Sequence, residues 1–402
     1  MRMKKYLILA VTAAIVAVGC TKTFEVTPTP ETPIGFGTWA NTLTKTSHAT
    51  GAGNTAFTDG ETFDVFGKKT LSSGDVVVFE DDDVQYASST QTWSYTNTRF
   101  WDPNASSYTF YAVLPKDKLN LTHTNNTGDN RYAKTGLFVS QDISFDDPTS
   151  YTNDILVANQ TVVNGTGSAV PYTYTSANPV EMSFNHVASC VDMMVKKDNT
   201  LANATVTVTG LSLLNIHNSG HFTVGSYSTN VPNVTWADAS TVAYLDSDNT
   251  DDATHPNTYV VSLSGSGVAA SAYTTTYGAN NARTTTGTDD YDNAGVLFSD
   301  YVFMPQTLTA NGQKVALTYT IQVGSETANS YSAEFDMRDF FETDAKDNKN
   351  TSNTALTDNV TTWAPGVHYL YYITIGANAI EFTASVNAWN TTTVSGYHYL
   401  IN

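Results

Sequence analysis

Apolar and polar residues alternate with a period of two along most of this chain after residue 33. The stretch VALTYTIQV is the clearest case: Val315, Leu317, Tyr319, Ile321 and Val323 share one face, and Ala316, Thr318, Thr320 and Gln322 the other. Successive side chains of a strand point to opposite faces, so the pattern predicts half-buried strands. VHYLYYITI sets Val367, Tyr369, Tyr371, Ile373 and Ile375 on one side, and AIEFTASVNAW does the same with Ile380, Phe382, Ala384, Val386 and Ala388. SYTFYAVLP aligns Tyr108, Phe110, Ala112 and Leu114, and ATVTVTGLSLL alternates Val206 and Val208 with threonine. Turn-forming runs such as NNTGDN, NGTGSA and DSDNTDDATHPN separate them. FEDDDVQY (Phe79 to Tyr86) reads as a hairpin tip, and DMRDFFETDAKDNK (Asp336 to Lys349) as a loop between strands, with a short helix as the alternative. The predicted class is all-β, built from antiparallel sandwiches. The chain is too long for one sandwich, so two are expected in tandem. A polar break follows VDMMVKKDNT, which places the division near Asn199, with an N-terminal sandwich over 34–199 and a C-terminal one over 200–402.

The first 33 residues do not follow this pattern. Arg2, Lys4 and Lys5 precede an apolar run from Tyr6 to Val18, which is too short to cross a hydrocarbon layer about 30 Å thick. Gly19 then stands before Cys20. The arrangement resembles the lipobox of bacterial lipoproteins, in which the chain is cut before a cysteine that receives a diacylglyceryl group. Residues 1–19 are thus expected to be a lipoprotein signal peptide and Cys20 the lipidation site. Ala17 and Val18 depart from the commoner lipobox residues. Several acyl chains anchor stably, since each buried methylene contributes about 0.8 kcal/mol. Residues 20–33, with Pro28, Pro30 and Pro33 among Thr and Glu, read as an extended tether.

Composition agrees with strands and adds a constraint on partners. Of the 402 residues 41% are hydrophobic and 12% aromatic, enough to bury large cores, while only 14% are charged. A net charge of −19 repels a phosphate backbone and argues against nucleic acid as a partner. There are two cysteines; if Cys20 is acylated, Cys190 has no partner, and the fold rests on hydrophobic burial.

Catalytic and metal chemistry find little support. His186 and Cys190 stand four apart, which on one strand puts both on one face, but two ligands do not make a metal site. Asp246, Asp248, Asp251 and Asp252 cluster in one loop without the glycine and distal glutamate of a calcium-binding hand. No nucleophile elbow, HExxH or phosphate-cradling glycine loop occurs. No enzyme activity, cofactor or metal is expected, and the six tryptophans read mostly as core, with one or two free for sugar stacking.

Five segments in order resemble the fimbrillin family of Gram-negative gut and oral bacteria, the Mfa-like branch of the type V pilins. They are PIGFGTWANTLTKT (Pro33 to Thr46), ETFDVFG (Glu61 to Gly67), WSYTNTRFWDPNASSYTFYAVLP (Trp93 to Pro115), MSFNHVASCVDMMV (Met182 to Val195) and WAPGVHYLYYITIGANAIEFTASVNAW (Trp363 to Trp389). The resemblance implies two transthyretin-like sandwiches and delivery to the outer membrane through acylated Cys20. In many members a trypsin-like protease then cuts after the first strand, and a strand from another pilin subunit fills the groove. Here Ile34 to Leu43, with Ile34 and Phe36 on one face, is the candidate displaced strand, and Lys45–Thr46 the candidate cleavage site. No arginine lies between Arg2 and Arg99, so a strictly arginine-specific protease finds no site there. TTTVSGYHYLIN (Thr391 to Asn402) is a candidate donor strand with Val394, Tyr397, Tyr399 and Ile401 as plugs, or else the closing strand of its own domain. The implied function is a structural and adhesive subunit of a surface pilus, as stalk, anchor or tip. A monomeric lipoprotein binding surface glycans is the alternative.

Overall fold

The computed structural model describes residues 32–39, 59–90, 92–118, 141–163, 179–197, 199–228, 231–239, 243–246, 257–272, 295–339, 341–343, 360–377 and 380–388. Among them the only helical segments are single 3-10 turns at Tyr151–Asn153, Asn199–Leu201 and Met337–Asp339. The strands of the first half are β1 (Phe36–Trp39), β2 (Thr62–Leu71), β3 (Gly74–Ala87), β4 (Thr92–Tyr95), β5 (Ser107–Leu114), β6 (Gln141–Ser144), β7 (Leu156–Val163), β8 (Val180–Ser183) and β9 (Asn185–His186). Those of the second half begin with β10 (Ser189–Lys197), β11 (Ala204–Leu214), β12 (Ser219–Ser228), β13 (Val231–Asp238), β14 (Thr258–Val260), β15 (Val268–Ala269) and β16 (Ser271–Ala272). They end with β17 (Gly295–Phe303), β18 (Gln306–Thr307), β19 (Lys314–Val323), β20 (Asn329–Asp336), β21 (Phe341–Thr343), β22 (Thr362–Trp363), β23 (Val367–Ile375) and β24 (Ile380–Ala388).

In the first half an antiparallel sheet runs β4-β3-β2-β5-β7-β9. Its inner face is aromatic. The alternation of β5 sends Tyr108, Phe110, Ala112 and Leu114 inward to meet Phe63 and Val65 of β2 and Phe79 and Val84 of β3. Gly67 permits this packing, because a Cβ there would stand 2.9 Å from Phe110 and 3.0 Å from Phe79. FEDDDVQY is no hairpin tip: it lies inside the long β3, where the pairing slips opposite Val65 to Gly67. The extra residues form a bulge, and Asp81 takes a left-handed φ of 58° there, a conformation that aspartate tolerates better than most residues.

In the second half two sheets enclose one core. One runs β16-β10-β23-β24-β21, with β17 also on β10; the other runs β14-β11-β19-β20, with β15 also on β11. Val191, Met193, Val195, Tyr369, Tyr371 and Ile373 of the first sheet meet Val206, Val208, Leu211, Leu213, Val315 and Leu317 of the second. A register slip between Val208 and Gly210 shifts the phase of β11, so even positions face inward before it and odd ones after. Trp363 is buried there and donates its indole N–H to the Tyr371 hydroxyl at 2.7 Å. Not all pairing is antiparallel: β10–β23, β10–β16, β21–β24 and β1–β8 are parallel.

Strand β10 pairs with β23 and β17, both from the second half. The pairing thus changes sheet between His186 and Ser189, ahead of the polar break at Asn199, which falls in the 3-10 turn between β10 and β11. A third apolar cluster joins the halves. Phe66, Tyr111, Val113 and Val157, from the outer face of the first sheet, meet Cys190, Val302, Met304 and Phe222 of the second half. The segment β6 belongs to the first half in sequence but pairs with β12, extending the β12–β13 hairpin, and Trp236 donates its indole N–H to the Val187 carbonyl at 2.8 Å. Phe222 is fully buried in this cluster, so Phe222→Ala should lower the free energy of unfolding by about 3–5 kcal/mol, read from urea denaturation.

Asp64 on β2 is 2% exposed and accepts the Asp117 N–H at 2.7 Å. Burial pushes its carboxyl from 3.8 up to about 7; the Asp117 N–H pulls the other way, and the carboxylates of Asp81, Asp117 and Asp83 add to the rise. Between those two values the folded chain keeps a proton that the unfolded chain has lost, so Asp64 makes stability fall as pH rises from about 4 to about 7. Urea midpoints across this window should show that decline in the parent, and Asp64→Asn should flatten it.

Candidate strand-exchange edge

The sheet β4-β3-β2-β5-β7-β9 needs a cover over its aromatic inner face, and that cover is thin. Strands β8 and β9 are nearly continuous, separated by Phe184. The β9 end stays in the large sheet, pairing with β7, while β8 leaves it and pairs with β1 in parallel, Phe36 opposite Val180 through Trp39 opposite Ser183. The Val180 N–H donates to the Gly35 carbonyl at 2.7 Å. At its root the other edge of the ribbon meets residues 99–101: the Ile34 N–H donates to the Arg99 carbonyl at 2.8 Å, and the Trp101 N–H to the Thr32 carbonyl at 3.0 Å. Beyond this root the only strand paired with β1 among the described residues is β8. Gly37 allows the close approach, since a Cβ there would come within 2.7 Å of Pro179.

The side chains of the ribbon fill the cover. Ile34 is 2% and Phe36 5% exposed. The Phe36 ring stands edge-on to four others, with centroids 5.3 Å from Phe79, 5.6 Å from Phe110, 5.8 Å from Tyr95 and 6.1 Å from Phe63. Such arrangements are favourable for aromatic quadrupoles. Val180, Met182 and Phe184 complete the layer from the β8 side. Full burial of a side chain such as Ile or Phe is worth about 1.5–3 kcal/mol, so Ile34 and Phe36 together contribute about 3–6 kcal/mol. That is a substantial share of a typical domain's 5–15 kcal/mol, and a second strand with equivalent side chains would recover it.

Residues that sequence reasoning did not single out hold the ribbon's root. The Tyr95 hydroxyl donates to the Ile34 carbonyl at 2.6 Å and accepts the Arg99 N–H at 3.2 Å; burial raises its pKa above the usual phenol value. Arg99 donates through Nε to the Val78 carbonyl at 3.0 Å, pairs with Asp82 at 3.1 Å, and lies 5.5 Å from the Phe79 ring centre. The signal was present in WSYTNTRFWDPN, where the tyrosine and arginine stand four apart, but nothing local says they converge on residue 34.

The other expected positions are less connected. Cys20, Lys45, Thr46, Val394, Tyr397, Tyr399 and Ile401 lie outside the described residues. Of the acidic loop only Asp246 is described, half-buried. The expectation that His186 and Cys190 share a strand face is corrected: they sit on different strands in different sheets, because the chain crosses between halves at Val187 and Ala188. His186 instead pairs through Nδ1 with Asp154 at 2.6 Å in the interior. Cys190 lies with Asp192 and His368, ligand atoms within 4.8 Å of one another. Burial pushes the Cys190 thiol well up, with Asp192, Asp300 and Asp154 adding to it. Burial opposes charging of His368, but the Asp192 and Asp300 carboxylates outweigh it and raise its pKa. Trp101 and Trp363 are buried, and Trp93 and Trp236 are half-buried against Phe63 and Phe222.

Comparison with known proteins identifies the family. The fimbrillin-like family model matches residues 47–389, and the chain belongs to that family. Among solved structures, a fimbrial protein from Bacteroides vulgatus shares 20% identity with a TM-score of 0.50, covering 89% of this chain and 99% of its own; the two have the same fold. The tip fimbrial protein Mfa3 from Porphyromonas gingivalis, truncated at its C-terminus, also matches, at 9% identity and a TM-score of 0.34 over 82% of this chain and 95% of its own. No curated protein matches the chain.

Removing the hydroxyl that clamps the ribbon should loosen it locally. Tyr95→Phe is expected to cost about 0.5–1.5 kcal/mol, seen as faster hydrogen exchange at the Ile34 and Val180 amides with the second-half core unchanged.

Proposed function

We propose that this chain is a structural and adhesive fimbrial subunit, delivered to the outer membrane as a lipoprotein through Cys20 and joined to its neighbours by exchange of its first strand. The observation that carries this reading is the ribbon from Ile34 to Trp39: paired at β8 on one edge, it plugs Phe36 into an aromatic groove that needs a cover. Cleavage at Lys45–Thr46 by a lysine-tolerant protease frees the ribbon, and the exposed edge of β8 accepts a strand from another subunit by backbone pairing.

The segment Thr391 to Asn402 supplies the donor strand, with Val394, Tyr397, Tyr399 and Ile401 as its plugs. Strand β24 already has β23 on one side and β21 on the other, so its sheet does not need that segment for closure. The change of sheet at Val187–Ala188 supports a division into two sandwiches a little ahead of Asn199. In this reading the subunit works by packing rather than by catalysis. Trp93, Trp101, Trp236 and Trp363 lend glycan binding by a monomer no support, since they are buried or half-buried against neighbouring side chains.

Trypsin treatment of the full chain, followed by mass spectrometry and size-exclusion chromatography, tests the reading. Cleavage after Lys45, release of the peptide containing Ile34 and Phe36, and growth of oligomers are expected, with Lys45→Gln remaining monomeric. A cleaved chain that loses this peptide and stays monomeric would overturn it, and so would one that keeps the peptide bound in concentrated solution.

A further inference from the structure

Strand β10 is buried on both faces. One face enters the second-half core through Val191, Met193 and Val195. The other carries Cys190 and Asp192, two residues apart and so on the same side. In the parallel ladder Cys190 stands directly opposite His368 of β23. The Cys190 sulfur, an Asp192 carboxylate oxygen and a His368 ring nitrogen all lie within 4.8 Å of one another.

The three groups are not satisfied as an ordinary buried pair. Asp192 Oδ2 is 3.1 Å from His368 Nε2, close enough for charge pairing. That contact falls outside hydrogen-bond geometry, and Nε2 has no other hydrogen-bond partner among the described residues. The other carboxylate oxygen is held in place: Asp192 Oδ1 accepts the Asp300 N–H at 2.7 Å. That donor exists because β17 bulges opposite Asp192, where the pairing slips between Val191 and Met193, and Asp300 takes a φ of 57°. A bulge that turns a backbone donor onto one carboxylate oxygen orients the other, as outer partners do for metal ligands. The Asp300 carboxylate adds negative potential at both Cys190 and His368.

We propose that Cys190, Asp192 and His368 form a zinc site. Thiolate, imidazole and carboxylate together suit zinc better than calcium or magnesium, which take oxygen ligands alone. At usual zinc–ligand lengths of about 2.0–2.3 Å, tetrahedral ligand atoms stand about 3.5 Å apart, so a side-chain adjustment of about 1 Å closes the set. Binding releases the thiol proton to solvent and leaves a fourth position for water. The His368 side chain is 20% exposed, with its Nε2 on the buried side. The metal would fasten β10 to β23 at the margin of the apolar cluster that joins the two halves, where Cys190 already packs.

Cobalt(II) titration of the purified full chain carrying Cys20→Ser, which leaves Cys190 as its only thiol, tests this. One equivalent of cobalt should bind with a thiolate-to-cobalt charge-transfer band, and zinc should displace it. His368→Gln and Asp192→Asn should each weaken cobalt binding at least tenfold, and Cys190→Ser should remove the band. Absence of the band in the parent overturns the site, whether or not the variants fold. A band of unchanged affinity in both the His368→Gln and Asp192→Asn chains overturns this ligand set.

Discussion

An aromatic sheet face cannot be left to water, and in this protein most of its cover comes from pieces that are short or peripheral. Phe63, Phe79, Tyr108 and Phe110 line the inner face of the first large sheet. Opposite them stand a four-residue strand, a second four-residue strand that leaves the main sheet to reach it, and the irregular segment around Trp101. The geometry follows from one requirement, to exclude water from those rings, with Phe36 at the centre. A layer held mainly by burial and a short ladder is stable when complete, yet its energy is concentrated in few side chains. Such a layer suits a subunit whose partner supplies the missing strand, which is the proposed mode of assembly.

The two halves are not independent beads. Strand β6 leaves the first half to extend a hairpin of the second, and a shared cluster around Phe222, Val302 and Met304 packs on the outer face of the first sheet. A buried apolar junction with the Trp236 hydrogen bond resists separation of the halves better than exposed ion pairs, which are worth little. The proposed zinc site sits at the edge of the same junction, on the parallel pair β10–β23.

Burial on both faces explains the composition of β10 and β5. A strand covered on one side alternates; a strand covered on both reads as a near-continuous apolar run. SCVDMMVKK is of the second kind, and even Lys196 is only 3% exposed, with its ammonium 5.0 Å from the centre of the Tyr372 ring. In β5 the inner set Tyr108, Phe110, Ala112 and Leu114 fills the sandwich, and Tyr111 and Val113 face the second half.

The sequence by itself determined the all-β class, the inward faces of β5, β19 and β23, and the membership that the ordered motifs signalled, because alternation and turn chemistry are local properties of the chain. It also marked Ile34 and Phe36 as one face of a leading strand. It did not reveal that Tyr95 and Arg99 grip that strand's root, that FEDDDVQY bulges within a strand instead of capping a hairpin, or that His186 and Cys190 part company at Val187. Nor did it show Cys190 meeting His368, 178 positions further on. Those facts depend on which strands pair and in what register, and pairing between distant segments is decided by the packing of whole faces against one another, which only the tertiary structure contains.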